Sequence, residues 1–62
     1  MNFFKAVIFN DETNDEIEEK YIQTEKSLFD IEGYILNLCL ELDEKTKQRH
    51  NFKVDIISEE EI

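Results

Sequence analysis

The fold of this chain depends most on residues 13–42, which read TNDEIEEKYIQTEKSLFDIEGYILNLCLEL. The stretch opens with Thr13 followed three residues later by Glu16, the spacing of a capping box at the start of a helix. Apolar residues then recur at alternating intervals of four and three, which places them on one stripe of a helix. They are Ile17, Tyr21, Leu28, Ile31, Ile35, Leu38 and Leu42, with Thr24 as the weak member. The pattern predicts a long helix that begins at Thr13.

Charge order along the chain also favours a helix. Carboxylates cluster at the start of the stretch and three basic residues lie at 45–49, signs that match a helix dipole. Glu16 and Lys20 form an acid-first pair four residues apart, which stabilises a helix by about 0.2–0.5 kcal/mol. We therefore predict a central helix over about residues 13–48, with a break near Gly33 as one version.

Residues 34–42 allow a different interpretation. After Gly33, leucines at every second position from Leu36 to Leu42 give a period of two, which is typical of a strand. Strands at 34–42 and 52–57 would then form a hairpin and give a compact β-α-β-β unit. Leucine is a good helix former, whereas an unbroken helix of roughly 50 Å is unusually long. Both architectures stay open at this point.

Both ends of the chain show strand patterns. Residues 1–10, MNFFKAVIFN, form a short run rich in aromatic and β-branched residues that ends at a polar cluster. Phe52, Val54 and Ile56 alternate with charged residues and could pair with the first strand. We expect an α+β fold with an N-terminal strand, a long central helix and a C-terminal strand. Residues 1–62 are predicted to form one small domain, with 59–62 a frayed acidic tail.

The composition is strongly acidic, with 16 Asp and Glu against 7 Lys and Arg and a net charge of -9 over 62 residues. This charge repels polyanions and the negative cytoplasmic leaflet, so we predict no direct nucleic-acid binding and no membrane binding. A lone cysteine and the lack of a signal peptide or long apolar run favour a cytoplasmic protein. The bias toward Phe, Ile, Asn and Lys, without Pro, is typical of AT-rich genes and suggests a low-GC bacterium or its phages and prophages.

Residues that usually carry chemistry are scarce. Cys39 and His50 are the only residues of their types, which leaves no zinc ligand set. We expect Cys39 to be a small buried hydrophobe and His50 to be an exposed loop residue. The carboxylates lack a predicted pocket for general acid–base catalysis, and a single glycine excludes a glycine-rich phosphate loop. We therefore expect no enzymatic activity, no cofactor and no metal.

These patterns predict a small acidic binding or regulatory protein that acts on an unidentified protein partner with a basic surface. Concentrated like charge steers association, so we place the partner-binding surface on the acidic run. Its members are Asp11, Glu12, Asp15, Glu16, Glu18 and Glu19. Two other interpretations are an acidic nucleic-acid mimic that inhibits a DNA- or RNA-binding host protein, and a structural subunit of a homo-oligomeric assembly.

The apolar stripe is wider than one helix and two short strands can cover, which predicts a homo-oligomer and most simply a two-fold dimer. Antiparallel packing of two helices would bring the acidic start of one beside the basic end of the other. The predicted interface residues are Leu28, Ile31, Ile35, Leu38 and Leu42.

Overall fold

A computed structural model describes residues 1–57 of the chain. Its elements, in order, are β1 (Asn2–Asn10), β2 (Glu16–Thr24), α1 (Leu28–Thr46) and β3 (His50–Ile56). The strands form an antiparallel sheet in the order β2-β1-β3, so β1 lies in the centre. The predicted α+β class, with strands before and after one long helix, is confirmed. The predicted tail at 59–62 lies outside the described residues.

The two faces of β1 have different environments. Phe4, Ala6 and Ile8 point toward α1 and are each 1% exposed. The odd-numbered side chains from Phe3 to Phe9 point the other way and are only half-buried. Because apolar residues lie at both odd and even positions of β1, the sequence predicts that both faces are covered. Instead, no described element packs on the second face, which we call the open face.

The helix contributes the other half of the core. Ile31, Ile35 and Cys39, spaced one helical turn apart, are buried against β1. Burying each large aliphatic side chain contributes about 1.5–3 kcal/mol, so this contact is the main source of stability.

The residues predicted to form an oligomer interface all belong to this helix. The structure buries Ile31 and Ile35 inside one chain and packs Leu28, Leu38 and Leu42 against the same core. The sheet therefore covers part of the apolar stripe that the sequence predicts to pack against a second helix. Ile31 and Ile35 are therefore not accessible to a second copy, whereas Leu28, Leu38 and Leu42 stay partly exposed and the homo-oligomer stays a prediction.

Residues Glu16–Thr24 form β2, so the predicted helix start at Thr13 is wrong. The spacing of Glu16 and Lys20 fits a helix, but Tyr21, Ile22 and Thr24 also fit a strand. The deciding factor is tertiary, because a central strand needs hydrogen-bonding neighbours on both sides. β2 and β3 together supply them.

The polar cluster at 11–14 is the turn of the β1–β2 hairpin. The side-chain oxygen of Asn10 accepts hydrogen bonds from the amides of Glu12 and Thr13, at 2.9 and 3.1 Å. The Asn14 amide donates to the Asn10 carbonyl at 2.8 Å, and Asn14 has a φ of 64°. Asparagine tolerates this left-handed conformation better than most residues. The two asparagines were thus a turn signal that the capping-box spacing obscured.

The helix begins after Ser27, where a hydroxyl residue is again followed three positions later by an acidic residue. The Ser27 hydroxyl oxygen accepts from the Asp30 amide at 3.3 Å and donates to the Asp30 carboxylate at 3.2 Å. The serine-to-acid spacing of three residues matches that of Thr13 and Glu16, but only the later copy caps a helix. The pattern alone could not tell them apart.

The helix runs through Gly33 without a break, and the alternative strand at 34–42 is wrong. Leu38 and Leu42 face the core whereas Leu36 and Leu40 are exposed, which follows a helical period. The helix ends at Lys47, whose φ is 62° and whose amide donates to the Asp43 carbonyl.

Candidate functional site

The six carboxylates predicted to bind a partner all lie on the exposed surface of the β1–β2 hairpin. In chain order they are Asp11 and Glu12 in the turn, Asp15 before β2, and Glu16, Glu18 and Glu19 on β2. Because this segment is a hairpin and not a helix, the six carboxylates do not lie on one face of a helix. Glu18 pairs with Ile8 and so lies on the helix side of the sheet, whereas Glu19 pairs with Val7 on the open face.

Two of the six have ion-pair partners. Glu18 lies 3.3 Å from the Lys20 amine, and Glu19 lies 3.8 Å from the Lys5 amine. Exposed pairs of this kind stabilise a fold by about 1 kcal/mol at most.

The other four have no ion-pair partner within residues 1–57. They form a cluster at the hairpin end that we call the acidic tip: Asp11, Glu12, Asp15 and Glu16. All four are exposed. Their charges are therefore available to a partner molecule.

The loop between α1 and β3 lies beside the acidic tip. The Asp11 amide donates to the Arg49 carbonyl at 2.9 Å, and the Asn10 side chain donates to the Gln48 side chain at 3.1 Å. This loop also contains Lys47. The acidic and basic segments, which the sequence predicts at opposite ends of one helix, thus meet at one end of the folded chain.

A groove of about 390 Å³ runs over the open face next to the acidic tip. Its lining residues are Lys5, Val7, Phe9, Asn14, Glu16, Lys53 and Asp55. Val7 and Phe9 provide an apolar floor, and charged side chains of both signs surround it. Sequence reasoning missed this groove, because residues 1–10 are apolar on both faces of β1, a pattern typical of a strand that is covered on both sides.

A buried polar contact joins the helix to β3. His50 has a side chain that is 3% exposed, and its Nδ1 lies 2.9 Å from Oδ1 of Asp43. The same oxygen accepts from the His50 amide at 2.7 Å. The prediction that His50 is an exposed loop residue is wrong, since the turn after α1 brings it back to an acid seven positions earlier. This arrangement anchors the helix end to the sheet.

Cys39 is buried, as expected, and has a free thiol. Burial raises its pKa above the ordinary value of 9.0, and the negative charge of Asp43 raises it further. A nucleophilic cysteine needs the thiolate form and access to a substrate. The environment of Cys39 disfavours both, so the geometry fits a packing role.

Among residues 1–57, no cluster of three or more His, Cys, Asp and Glu side chains could hold a metal ion. No helix in this part of the chain is long and apolar enough to cross a membrane.

Comparisons with protein-family models, with curated proteins and with solved structures give no match. Functional inference for this chain therefore rests on its own residues.

Proposed function

We propose that this chain is a small acidic, non-catalytic protein that acts by binding another protein. The acidic tip and the adjoining groove form the binding surface. The partner presents an apolar side chain flanked by lysine or arginine residues. The observation that carries this proposal is the exposure of four carboxylates that have no ion-pair partner among residues 1–57, next to a groove with an apolar floor.

Charge and shape have separate roles in this proposal. The carboxylates attract a basic surface over several ångströms and speed up association, while the groove supplies contact area. Val7 and Phe9 are half-buried, so an apolar side chain of the partner could complete their burial. The mixed charges of Lys5, Lys53 and Asp55 at the rim would orient the partner.

A catalytic role has less support in the geometry. The only close contact of a histidine with a carboxylate, among the described residues, is that of His50 with Asp43. The His50 side chain is almost fully buried and does not line the groove. A substrate would have no direct access to it.

Affinity capture with immobilised protein and bacterial lysate tests the proposal. The bait is used as the wild type and as a tip variant in which Glu12→Gln, Asp15→Asn and Glu16→Gln are combined. A matched control combines Glu25→Gln, Glu41→Gln and Glu44→Gln, which changes the net charge equally at exposed positions elsewhere. We expect a partner that the wild type and the control retain and the tip variant loses.

A further variant, Val7→Thr, tests the groove while keeping the β-branched shape of the side chain. It should weaken capture of the same partner. Equal loss of capture in the tip variant and the charge control would contradict the proposal, since binding would then depend on the net charge of the chain and not on the acidic tip.

Release of the captured partner by added DNA or RNA distinguishes a nucleic-acid mimic from other protein binders. A mimic occupies the site of the polyanion, so the two compete. If nucleic acid does not displace the partner, the chain binds outside the partner's nucleic-acid site and is a regulatory binder of another kind.

A further inference from the structure

The sheet has two edges, and they differ in how well they resist pairing with another chain. On β2, Glu18 and Lys20 place charges on the helix side of the sheet, and such inward charges hinder edge-to-edge association. β3 has no such protection. Its side chains on the helix side are Phe52, Val54 and Ile56, and Ile56 is 69% exposed.

The register of β3 shows which of its backbone groups are available. The Ile57 amide donates to the Phe3 carbonyl, and the Arg49 carbonyl accepts from Asp11. Backbone groups alternate in direction along an antiparallel strand, so odd-numbered residues of β3 face β1. The groups of the even-numbered residues therefore face outward. The His50 amide already donates to Asp43, which leaves the groups of Phe52, Val54 and Ile56.

One of these outward groups has a local partner. The Phe52 amide donates to the side-chain oxygen of Asn51 at 2.8 Å, an exposed contact that a neighbouring strand could replace. The outer edge of β3 thus offers three residues for pairing.

We propose that the outer edge of β3 binds the same edge of a second copy of this chain, in an antiparallel pair centred on Val54. In this register Val54 lies opposite the partner's Val54, and Phe52 lies opposite the partner's Ile56. All three outward-facing residues then form hydrogen-bonded pairs. The two sheets join into one continuous sheet.

Charge complementarity selects this register. With Val54 at the centre, Lys53 lies opposite the partner's Asp55, and the symmetry repeats the pair on the other side of the axis. Centring the pair on Lys53 or on Asp55 would place like charges opposite each other. Both side chains are exposed on the open face, so neither is committed to the core.

The same pairing would cover apolar surface on the helix. Phe29 and Leu36 are 83% and 47% exposed on the flank of α1. Together with Glu32, Gly33 and Phe52 they line a shallow groove of about 290 Å³. Joining two copies at β3 brings this flank toward the equivalent flank of the partner, over a shared floor formed by the β3 side chains. The apolar excess seen in the sequence would be buried there.

Sedimentation equilibrium at micromolar concentration and about 0.15 M salt, where charges more than about 8 Å apart are screened, tests the proposal. The wild type should sediment at twice the chain mass of 7.5 kDa. Lys53→Asp should weaken association about tenfold or more, because it replaces two attractive pairs by repulsive ones. Adding Asp55→Lys to this variant should restore the dimer. Lys26→Asp is the control, since it changes the net charge equally at an exposed position outside β3.

Disulfide formation tests the register without depending on charge. In a Cys39→Ala background, Val54→Cys should give a covalent dimer on mild oxidation, since Cα atoms in a hydrogen-bonded antiparallel pair lie about 5.5 Å apart. Ile56→Cys should not, because the two copies of this residue would lie about 14 Å apart.

Circular dichroism of each variant verifies that the fold is intact. A wild type that remains a monomer throughout, or a dimer that Lys53→Asp leaves unchanged, would overturn the proposal. Failure of the double charge exchange to restore association in a folded variant would equally overturn it.

Discussion

Nδ1 of His50 lies 2.9 Å from Oδ1 of Asp43, so the final turns of α1 are tied to the first residue of β3. One carboxylate oxygen serves both the imidazole and the His50 amide. The short loop from Lys47 to Arg49 makes this contact possible, and it fixes where the helix ends relative to the sheet.

Asp43→Ala should therefore lower the free energy of unfolding by about 1–3 kcal/mol, the range for leaving a buried polar group without its partner. Urea denaturation measures the change. Glu44→Ala is the matched control, since Glu44 is an exposed neighbour on the same helix and should change stability by less than about 0.5 kcal/mol. Equal effects of the two substitutions would show that the contact does not stabilise the fold.

The start of the helix can be located by comparing two hydroxyl residues. Ser27→Ala should cost about 0.5–2 kcal/mol, because the Ser27 side chain accepts from the Asp30 amide at the helix N-terminus. Thr13→Ala should cost less, since the Thr13 hydroxyl accepts from the Asp15 amide in a turn, where it caps no helix. Thermal or urea unfolding of both variants gives the comparison. A larger loss for Thr13→Ala would place the helix start at residue 13.

Asn14 provides a test of the hairpin that is independent of its charges. Its φ of 64° suits glycine and asparagine, so Asn14→Gly should leave stability nearly unchanged. Asn14→Val should destabilise the fold by about 1–2 kcal/mol or more, because a β-branched side chain is strained in this conformation. Thr13→Val controls for the added apolar surface. Tolerance of valine at position 14 would contradict the turn.

The thiol of Cys39 should react slowly in the folded chain. Its pKa is raised by burial and by Asp43, and the thiolate is the reactive form. At pH 8, reaction with a chromogenic disulfide reagent should be much slower for the native protein than for the protein in urea. Similar rates in both states would show that the site is open to solvent.

The same raised pKa has a consequence for stability. The folded state holds the thiol proton more tightly than the unfolded state, so this contribution is fully present below pH 9 and is lost as pH rises through the higher folded pKa. Unfolding free energies of the wild type should thus fall more steeply above pH 9 than those of Cys39→Ala. Parallel pH profiles would contradict the prediction.

Local sequence patterns correctly predicted β1, β3 and the part of the helix from Leu28 onward. β1 follows from a short run of aromatic and β-branched residues, and β3 follows from period-two alternation of apolar residues. Half of the predicted helix, from Leu28 onward, follows from its period of 3.6. The buried state of Cys39 could be predicted for the same reason, because it lies on the apolar side of that helix.

The interaction surfaces could be predicted only in part. The acidic run was visible as a sequence feature, but the division of Glu18 and Glu19 between two faces depends on strand pairing. The contact of His50 with Asp43 and the groove beside Val7 join residues from different elements. No local pattern encodes those distances.

The sequence by itself determined which segments carry apolar faces, where the charge is concentrated, and that a strand opens and closes the described chain. Only the tertiary structure decided that Glu16–Thr24 is a strand. The physical reason is that the side-chain spacing of this segment suits both a helix and a strand. The backbone amides and carbonyls on one side of β1 are hydrogen-bonded only if this segment is extended beside β1. Because this segment is a strand, the helix begins only after Ser27, and a single helix covers one face of the three-stranded sheet while the other face stays open.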